Sequence, residues 1–283
     1  MTQILRDATG MIGSISFAWI QGSDLDNNAK QWRLVADVLN DTAMLLELIS
    51  PLLPAYFLFL VCVASLARAI VGVAGGATRA ALIQHQARNN NMGDVAAKDG
   101  SQETLVNLVA LLVNLILVPL VSQNAQVVWS LFGLSTCCHI FFNYKAVRSL
   151  CMTRLNGRRA HLIVEHYTRH QQILSPKIAN QREPLFFDPV AQRIQLGASL
   201  LQLYAVILAE EATPADMQRA YFSALFSHYE MQDTTPGLVR SEPTTAVDAV
   251  LSQLASQGWS PTVAQYYDHG YRVQLEDTRK KFN

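Results

Sequence analysis

Four charged residues recur at steps of three, four and four in the stretch DLDNNAKQWRLVADVLND, namely Lys30, Arg33, Asp37 and Asp41. That spacing puts them on one helical face, cations at one end and carboxylates at the other. Paired internally, the row can sit half-buried beside a membrane surface. As an exposed ladder, the commoner case, it is worth about a few tenths of a kcal/mol per pair. Trp32 beside it has the character of an interfacial anchor. A second cluster runs Gly75, Gly76, Ala77, Thr78, Arg79. Folded as a turn, it offers free glycine amides and a guanidinium to an anion. Gly72, Gly76 and Ala80 also form a small-xxx-small row for close helix packing, which is the reading favoured here. Nucleotide-loop spacings are absent. A third cluster, Glu103, Asn107 and Asn114, shares one face of a helix that starts near Ser101. Polar groups at membrane depth must face protein or water, so this stripe is either glue between helices or a pathway, and glue is favoured.

Other constellations are thinner. His166 and His170 are four apart, a spacing that can chelate a metal, but no HExxH accompanies them and a solvated helix face accounts for them. Lys98 is the one lysine in a polar setting suited to a Schiff base with pyridoxal phosphate. No Ser-His-Asp or Cys-His arrangement and no basic-aromatic stripe for nucleic acid can be identified. Cys62, Cys137, Cys138 and Cys151 lie in or beside apolar runs without C-x-x-C pairing, as buried small hydrophobes of a reducing or membrane setting. No cofactor, metal or nucleic-acid partner is implied.

The elements that must position these groups are mostly apolar. Half the residues are hydrophobic and 16% are charged, with 22 basic and 22 acidic side chains. A soluble domain usually carries roughly 25% charged residues. From Thr104 to Tyr144 there is no Asp, Glu, Lys or Arg, and only Ser122 to Gln126 interrupts the apolar run. This pattern predicts a tight helical hairpin of two membrane spans, 105–121 and 127–142. A third span is expected over 48–67, kinked by Pro51 and Pro54, and 69–82 is apolar enough to enter as well. Residues 1–47 are acidic, whereas Lys145, Arg148, Arg154, Arg158 and Arg159 follow the hairpin. The positive-inside rule then puts the C-terminal part, with Arg68 to Glu103, on the cytoplasmic or equivalent side. The fold class expected is mainly α: a helical membrane domain over 1–144, then a small α+β domain over 145–283. In the latter, Arg158–Gln172, Thr213–Glu230 and Ala246–Gln257 read as helices, Leu203–Leu208 and Tyr271–Leu275 as strands, and Asp233–Thr245 as a loop.

Taken together, Asp7 with TGMIG (Thr9 to Gly13), FAW (Phe17 to Trp19), LDNNAKQWRLVADVLND (Leu25 to Asp41), VAGGATRAAL (Val73 to Leu82), HQARNNNMGDVAAKDGSQETLVNL (His85 to Leu108) and ANQREPL (Ala179 to Leu185) resemble the root UVB sensitive family. The family is named for plant members needed for root and early seedling development under UV-B, and is associated with vitamin B6 homeostasis and auxin distribution. Its pattern begins earlier than this chain, which implies full-length members with more membrane helix and a shortened product here. No catalytic residues come with the resemblance. The resemblance supplies a setting and not a mechanism; the short spans, the small-residue row and the absence of a catalytic constellation favour a non-enzymatic protein of an intracellular organelle membrane that scaffolds or regulates a protein partner, or forms an oligomer with a family member. The rival expectation is a carrier for a small anion such as a B6 vitamer phosphate, with Lys30, Arg33 and Arg79 as phosphate contacts and Asp37 or Glu103 as a coupling carboxylate.

Overall fold

Pro51 and Pro54 decide how the N-terminal half folds, because proline lacks a donor and suits only the first turn of a helix. In the computed structural model of this chain, residues 2–186, 195–196, 205–206, 208–209, 213–232, 243–265 and 272–273 are described. Helix α1 is Thr2–Leu25 and α2 is Ala29–Ile49. Two short 3₁₀ turns, Ser50–Leu52 and Pro54–Tyr56, then reverse the chain, and α3 runs unbroken over Phe57–Gln86. The expected span 48–67 is thereby corrected, since the prolines end one helix rather than kink it. The stretch 69–82 is no separate entry but the continuation of α3. Within the segment Arg68 to Glu103, Arg68 and Arg79 lie inside α3.

Two compact units divide at residue 147, Met1–Val147 and Arg148–Asn283. In the first, small residues set the distance between α2 and α3. Ala29, Ala36 and Ala43 recur every seven residues on α2, as do Ala67, Ala74 and Ala81 on α3, and all are buried. A seven-residue repeat keeps each row on one face, and methyl side chains let the two backbones come close. Antiparallel pairing follows from the contacts, with Ala36 against Ala74 and Ala43 against Ala64 and Ala67. Helix α1 packs on α3 through the TGMIG glycines. A Cβ on Gly10 would meet Ser65 Oγ at 2.8 Å, and one on Gly13 would meet Leu66 Cδ1 at 2.3 Å. Ser65 Oγ donates to the Arg6 carbonyl at 2.8 Å across the same contact.

The turn between α1 and α2 is tied by Asp24, whose carboxylate accepts from Asn28 Nδ2 at 2.8 Å and Trp32 Nε1 at 3.0 Å. Trp32 also stands edge-on to Phe17, centroids 5.3 Å apart. It is a packed residue and not the expected interfacial anchor. The bare indole is Trp19, 87% exposed on the outer face of α1 with Met11 and Ile15.

Helices α4 (Met92–Val121) and α5 (Ala125–Ser149) follow. Asn124 Oδ1 accepts from the Gln126 backbone amide at 3.1 Å in the turn between them. The polar interruption in the sequence is therefore a turn, but the arms do not lie against each other along their lengths, which corrects the tight hairpin. No residue of α4 is buried, and in α5 only Val147 is. Cys137 and Cys138 on α5 and Cys151 beyond it are exposed, and Cys62 is half-buried, so the expectation of buried thiols fails within this chain. Among the described residues, three helices are long and apolar enough to cross a membrane: Pro54–Gln86, counting its leading 3₁₀ turn, Met92–Val121 and Ala125–Ser149. Helices α1 and α2 pack along α3, so the acidic residues 1–47 lie folded against that helix.

In the second unit, strand β1 (Arg154–Asn156) leads into α6 (Gly157–His170), then α7 (Pro176–Arg182). The Asn156 side chain caps α6 by accepting from the Arg159 amide at 2.9 Å. Strands β2 (Gln195–Leu196), β3 (Ala205–Val206) and β4 (Leu208–Ala209) precede α8 (Pro214–Gln232) and α9 (Pro243–Leu254), with β5 (Ser260–Gln265) and β6 (Arg272–Val273) after them. All pairings are parallel, β1 with β5, β2 with β3 and β4 with β6. The described residues are thus mainly helical with short strand pairs, coarser than the α+β domain expected. Of the expected strands, 203–204, 207, 271 and 274–275 lie outside the described residues. So does 233–242 of the expected loop, while 243–245 already belong to α9. The core is Ile163, Val164 and Tyr167 of α6 against Phe222, Leu225 and Phe226 of α8 and Val247, Val250 and Leu254 of α9.

Candidate functional site

The seam of small residues brings α2 close enough to α3 that the charged row on α2 is drawn inward. Lys30 is 2% exposed, Asp41 is buried, and Arg33 and Asp37 are half-buried. Asp37 Oδ2 is shielded from solvent and has no hydrogen-bond partner among the described residues. Asp41 Oδ2 lies 2.9 Å from Nδ1 of His139 on α5, the geometry of an N–H donated to a carboxylate. The row is therefore no solvated ladder. It is a polar strip between helices, and an acceptor left unpaired in such a place costs free energy.

Arg79 forms the second centre. Its Nε donates to Asp99 Oδ2 at 2.7 Å, and its Nη1 lies 2.6 Å from Glu103 Oε2. The pair joins α3 to the start of α4. Gly75 and Gly76 do not present free amides, because both lie inside α3, and the anion turn expected there is overturned. Thr78 within it donates to the Ala74 carbonyl at 2.8 Å, the usual way a buried helical hydroxyl is satisfied. Gly72, Gly76 and Ala80 face outward, and a Cβ on either glycine would meet nothing within 4 Å. The row that packs within this chain is the alanine row on the other side of the helix. Asn107 and Asn114 are exposed on α4, so they glue nothing within the described residues. Lys98 is exposed and paired with Asp94 at 2.9 Å, far from the closed pocket a Schiff base needs.

A third polar centre bridges α2 and α3 near their joined ends. Glu47 accepts from Arg68 through both oxygens, at 3.0 and 2.5 Å, and from Arg6 of α1 at 3.4 Å. In the second unit, Glu183 takes Arg159 Nε at 3.1 Å and Asn156 Nδ2 at 3.1 Å, with Arg159 and Glu183 side chains only 3% exposed. Asn180 exchanges bonds with the Met152 backbone, accepting at 2.9 Å and donating at 2.8 Å. These two side chains of ANQREPL are a clasp holding α7 against β1 and α6.

Several participants escaped the sequence reading. Asp99 precedes Glu103 by four, the spacing of a two-pronged acceptor on a helix. His139 is the one imidazole in the uncharged run from Thr104 to Tyr144, a signal in itself. Glu47 and Arg68 have no local pattern, because they meet only through the proline turn. Of the proposed anion contacts, Lys30 and Arg33 belong to the α2 strip, while Arg79 is taken up by two carboxylates. The His166 and His170 rings are 4.5 Å apart and tilted by 45°, and no group of three or more metal-ligating side chains occurs among the described residues.

Comparison with known proteins agrees with the pattern of motifs. A family model described as a vitamin B6 photo-protection and homoeostasis domain matches residues 1–171, which hold α1 to α6. The chain is 37% identical to protein root UVB sensitive 3 of Arabidopsis thaliana over an alignment of 298 residues, covering 90% of this chain and 68% of that protein. It is 43% identical to RUS family member 1 of Dictyostelium discoideum over 207 residues, covering 72% of this chain and 39% of that protein. Protein root UVB sensitive 2, chloroplastic, of Arabidopsis thaliana is 28% identical over 289 residues, 99% of this chain and 64% of its own length. The chain therefore spans between two fifths and two thirds of these relatives. No solved structure matches it. With the matched domain covering the whole helical unit and its glycine, alanine and Asp24 contacts, the chain belongs to the root UVB sensitive family.

Proposed function

We propose that this chain is a non-enzymatic integral membrane protein of an organelle that serves vitamin B6 homoeostasis as a scaffold or regulator of a protein complex. The observation that carries the reading is α4. Its thirty residues include Leu105, Leu111, Leu112, Leu115, Ile116 and Leu120, all exposed, and none of the helix is buried. Apolar surface on this scale needs a covering of lipid or of a membrane-embedded partner. The polar groups of the adjoining helices support the same picture, because Glu47, Arg68 and Arg79 are satisfied within the protein, as charged groups at membrane depth must be. The family's domain description supplies the B6 setting, and a relative named chloroplastic supports an organelle. A carrier is not favoured, since Arg79, one of its expected phosphate contacts, is already met by two carboxylates.

Alkaline carbonate extraction of membranes holding the expressed chain tests this directly. The chain is expected to stay with the pellet, and Leu112→Lys, costing about 2.5–3.5 kcal/mol in a spanning helix, to weaken that retention. Release of the unaltered chain into the supernatant ends the reading. Proteoliposomes containing the chain are expected to show neither conversion nor uptake of B6 vitamers, and either activity would replace the scaffold by an enzyme or carrier.

A further inference from the structure

Helix α6 ends at Gln171, whose left-handed backbone (φ 53°) turns the chain back so that α7 follows close by. Between them is an open cleft of about 150 Å³. Its walls are unlike those of the rest of the unit. Leu162 and Leu174 give it an apolar side, and His166, Arg169, His170 and Arg182 converge on it with a single carboxylate, Glu165. Glu165 is engaged by Arg169 at 3.1 Å. Arg182 has neither carboxylate nor hydrogen-bond partner among the described residues. It lies near enough to His166 to act on it electrostatically.

The clasp described above explains why Arg182 is held there. Asn180 and Glu183 point inward and fix α7, so the guanidinium between them in sequence is presented on a rigid support. With Glu165 taken by Arg169, what remains in the cleft is a guanidinium fork and two imidazoles with rings 4.5 Å apart, and no second carboxylate among the lining residues. A metal ion is a poor occupant, because two imidazoles without a third ligand face a fixed positive charge. A dianion with several acceptor oxygens fits, since Arg binds it through two parallel N–H groups and each imidazole offers one more donor. We infer that the α6–α7 cleft binds a phosphate monoester, with Arg182 as its clamp and His166 and His170 as donors. The cleft holds the phosphate and a few attached atoms against Leu162 and Leu174, and the rest of a larger molecule leaves through the open side. The same phosphomonoester chemistry is offered by a soluble metabolite and by a lipid headgroup.

Electrostatics agrees with an anion site. The His166 imidazole titrates below its ordinary value, first because it is partly desolvated, then because His170 and Arg182 oppose a further positive charge, with only Glu165 acting the other way. An anion seated among these groups reverses the balance and raises that value. The site does not depend on membrane insertion of the helices in the first unit, so it can succeed or fail independently of the functional reading above.

The full chain, labelled with ¹³Cε1-histidine and held in phosphatidylcholine nanodiscs, tests it by NMR. His166 and His170 are assigned with H166Q and H170Q. Inorganic phosphate and phenyl phosphate are expected to raise the titration midpoint of His166, and R182Q to weaken that effect about tenfold or more. R219Q, which alters the exposed Arg219–Asp248 pair on α8 and α9, is expected to leave it unchanged. Nanodiscs containing phosphatidic acid separate the sources. A raised midpoint there without added phosphate identifies a lipid headgroup, and a rise only on adding phosphate identifies a soluble ligand. A His166 midpoint unmoved by phosphate, phenyl phosphate and phosphatidic acid, or moved equally in R182Q, overturns the site. Unchanged His161 resonances show that each variant is folded.

Discussion

His139 of α5 meets Asp41 of α2 at 2.9 Å, although 98 positions separate them in the chain. Asp41 is 8% exposed, so its partner's removal leaves a buried acceptor unsatisfied. His139→Ala is expected to destabilise the helical unit by roughly 1–3 kcal/mol, and Asp41→Asn on the same background to recover part of the loss. A double-mutant cycle of thermal melts in detergent measures the coupling. Additive effects would mean that the two side chains do not act on each other.

Glycines on opposite faces should respond in opposite directions. Gly10→Val forces a side chain into Ser65 and is expected to loosen α1 from α3, at about 1–3 kcal/mol for overpacking. Gly72→Ala and Gly76→Ala meet open space within this chain and are expected to stabilise it by about 0.5–1 kcal/mol each through helix propensity. Melting temperatures of the three variants decide the matter, and a destabilising Gly76→Ala would contradict the outward orientation of that face.

Which parts could be read from residues alone follows from what kinds of signal they leave. The break in the apolar run at Ser122 is legible, because polar residues between two apolar stretches mark a turn. That the two arms part after it was not, since a helix apolar on every side has no preferred face to reveal a neighbour. The small-residue row Gly72, Gly76 and Ala80 points to packing on one face, while the seam is the plainer alanine repeat at 67, 74 and 81. Steps of four and of seven both keep small residues near one helical face, and only the partner helix distinguishes them. Pro51 and Pro54 announced a disturbance, but a kink and a stop look alike until the following helix is seen to fold back. Thr213 and Pro214 were unambiguous, because cap and first-turn chemistry is local.

The clasp in the second unit should be its most sensitive point. Glu183→Ala leaves Arg159 buried with its countercharge gone, and the expected loss is roughly 3–5 kcal/mol. Glu183→Gln keeps an acceptor for Asn156 and should be milder. Chemical denaturation followed by Trp259 fluorescence reports on this unit, whose indole donates to the Leu174 carbonyl at 2.8 Å. Equal stability of Glu183→Ala and the parent chain would show that the clasp does not hold.

At the start of α8, Asp216 accepts from the Thr213 amide at 2.8 Å and from its hydroxyl at 2.6 Å. Those bonds hold its carboxyl below the ordinary aspartate value, the side-chain bond contributing most. A depressed acid stabilises the fold fully above its unfolded pKa, and the contribution disappears as pH falls through the lower folded value. Stability of the parent chain relative to Asp216→Asn should therefore be greatest near neutrality and shrink toward about pH 3. A gap that widens on acidification would reverse the sign and refute the capping arrangement.

Helix α3 carries two arginines whose surroundings are unequal. Arg68 shares one carboxylate, Glu47, with Arg6, whereas Arg79 is met by two, Asp99 and Glu103. One group is left with an excess positive charge and the other with an excess negative charge, about 16 Å apart along an eleven-residue step. In a helix crossing a bilayer of roughly 30 Å that separation is half the thickness of the insulator. On the proposed reading that α3 crosses a bilayer, the helix would behave as a built-in compass needle, and an electrical potential across the membrane would favour one heading over its reverse.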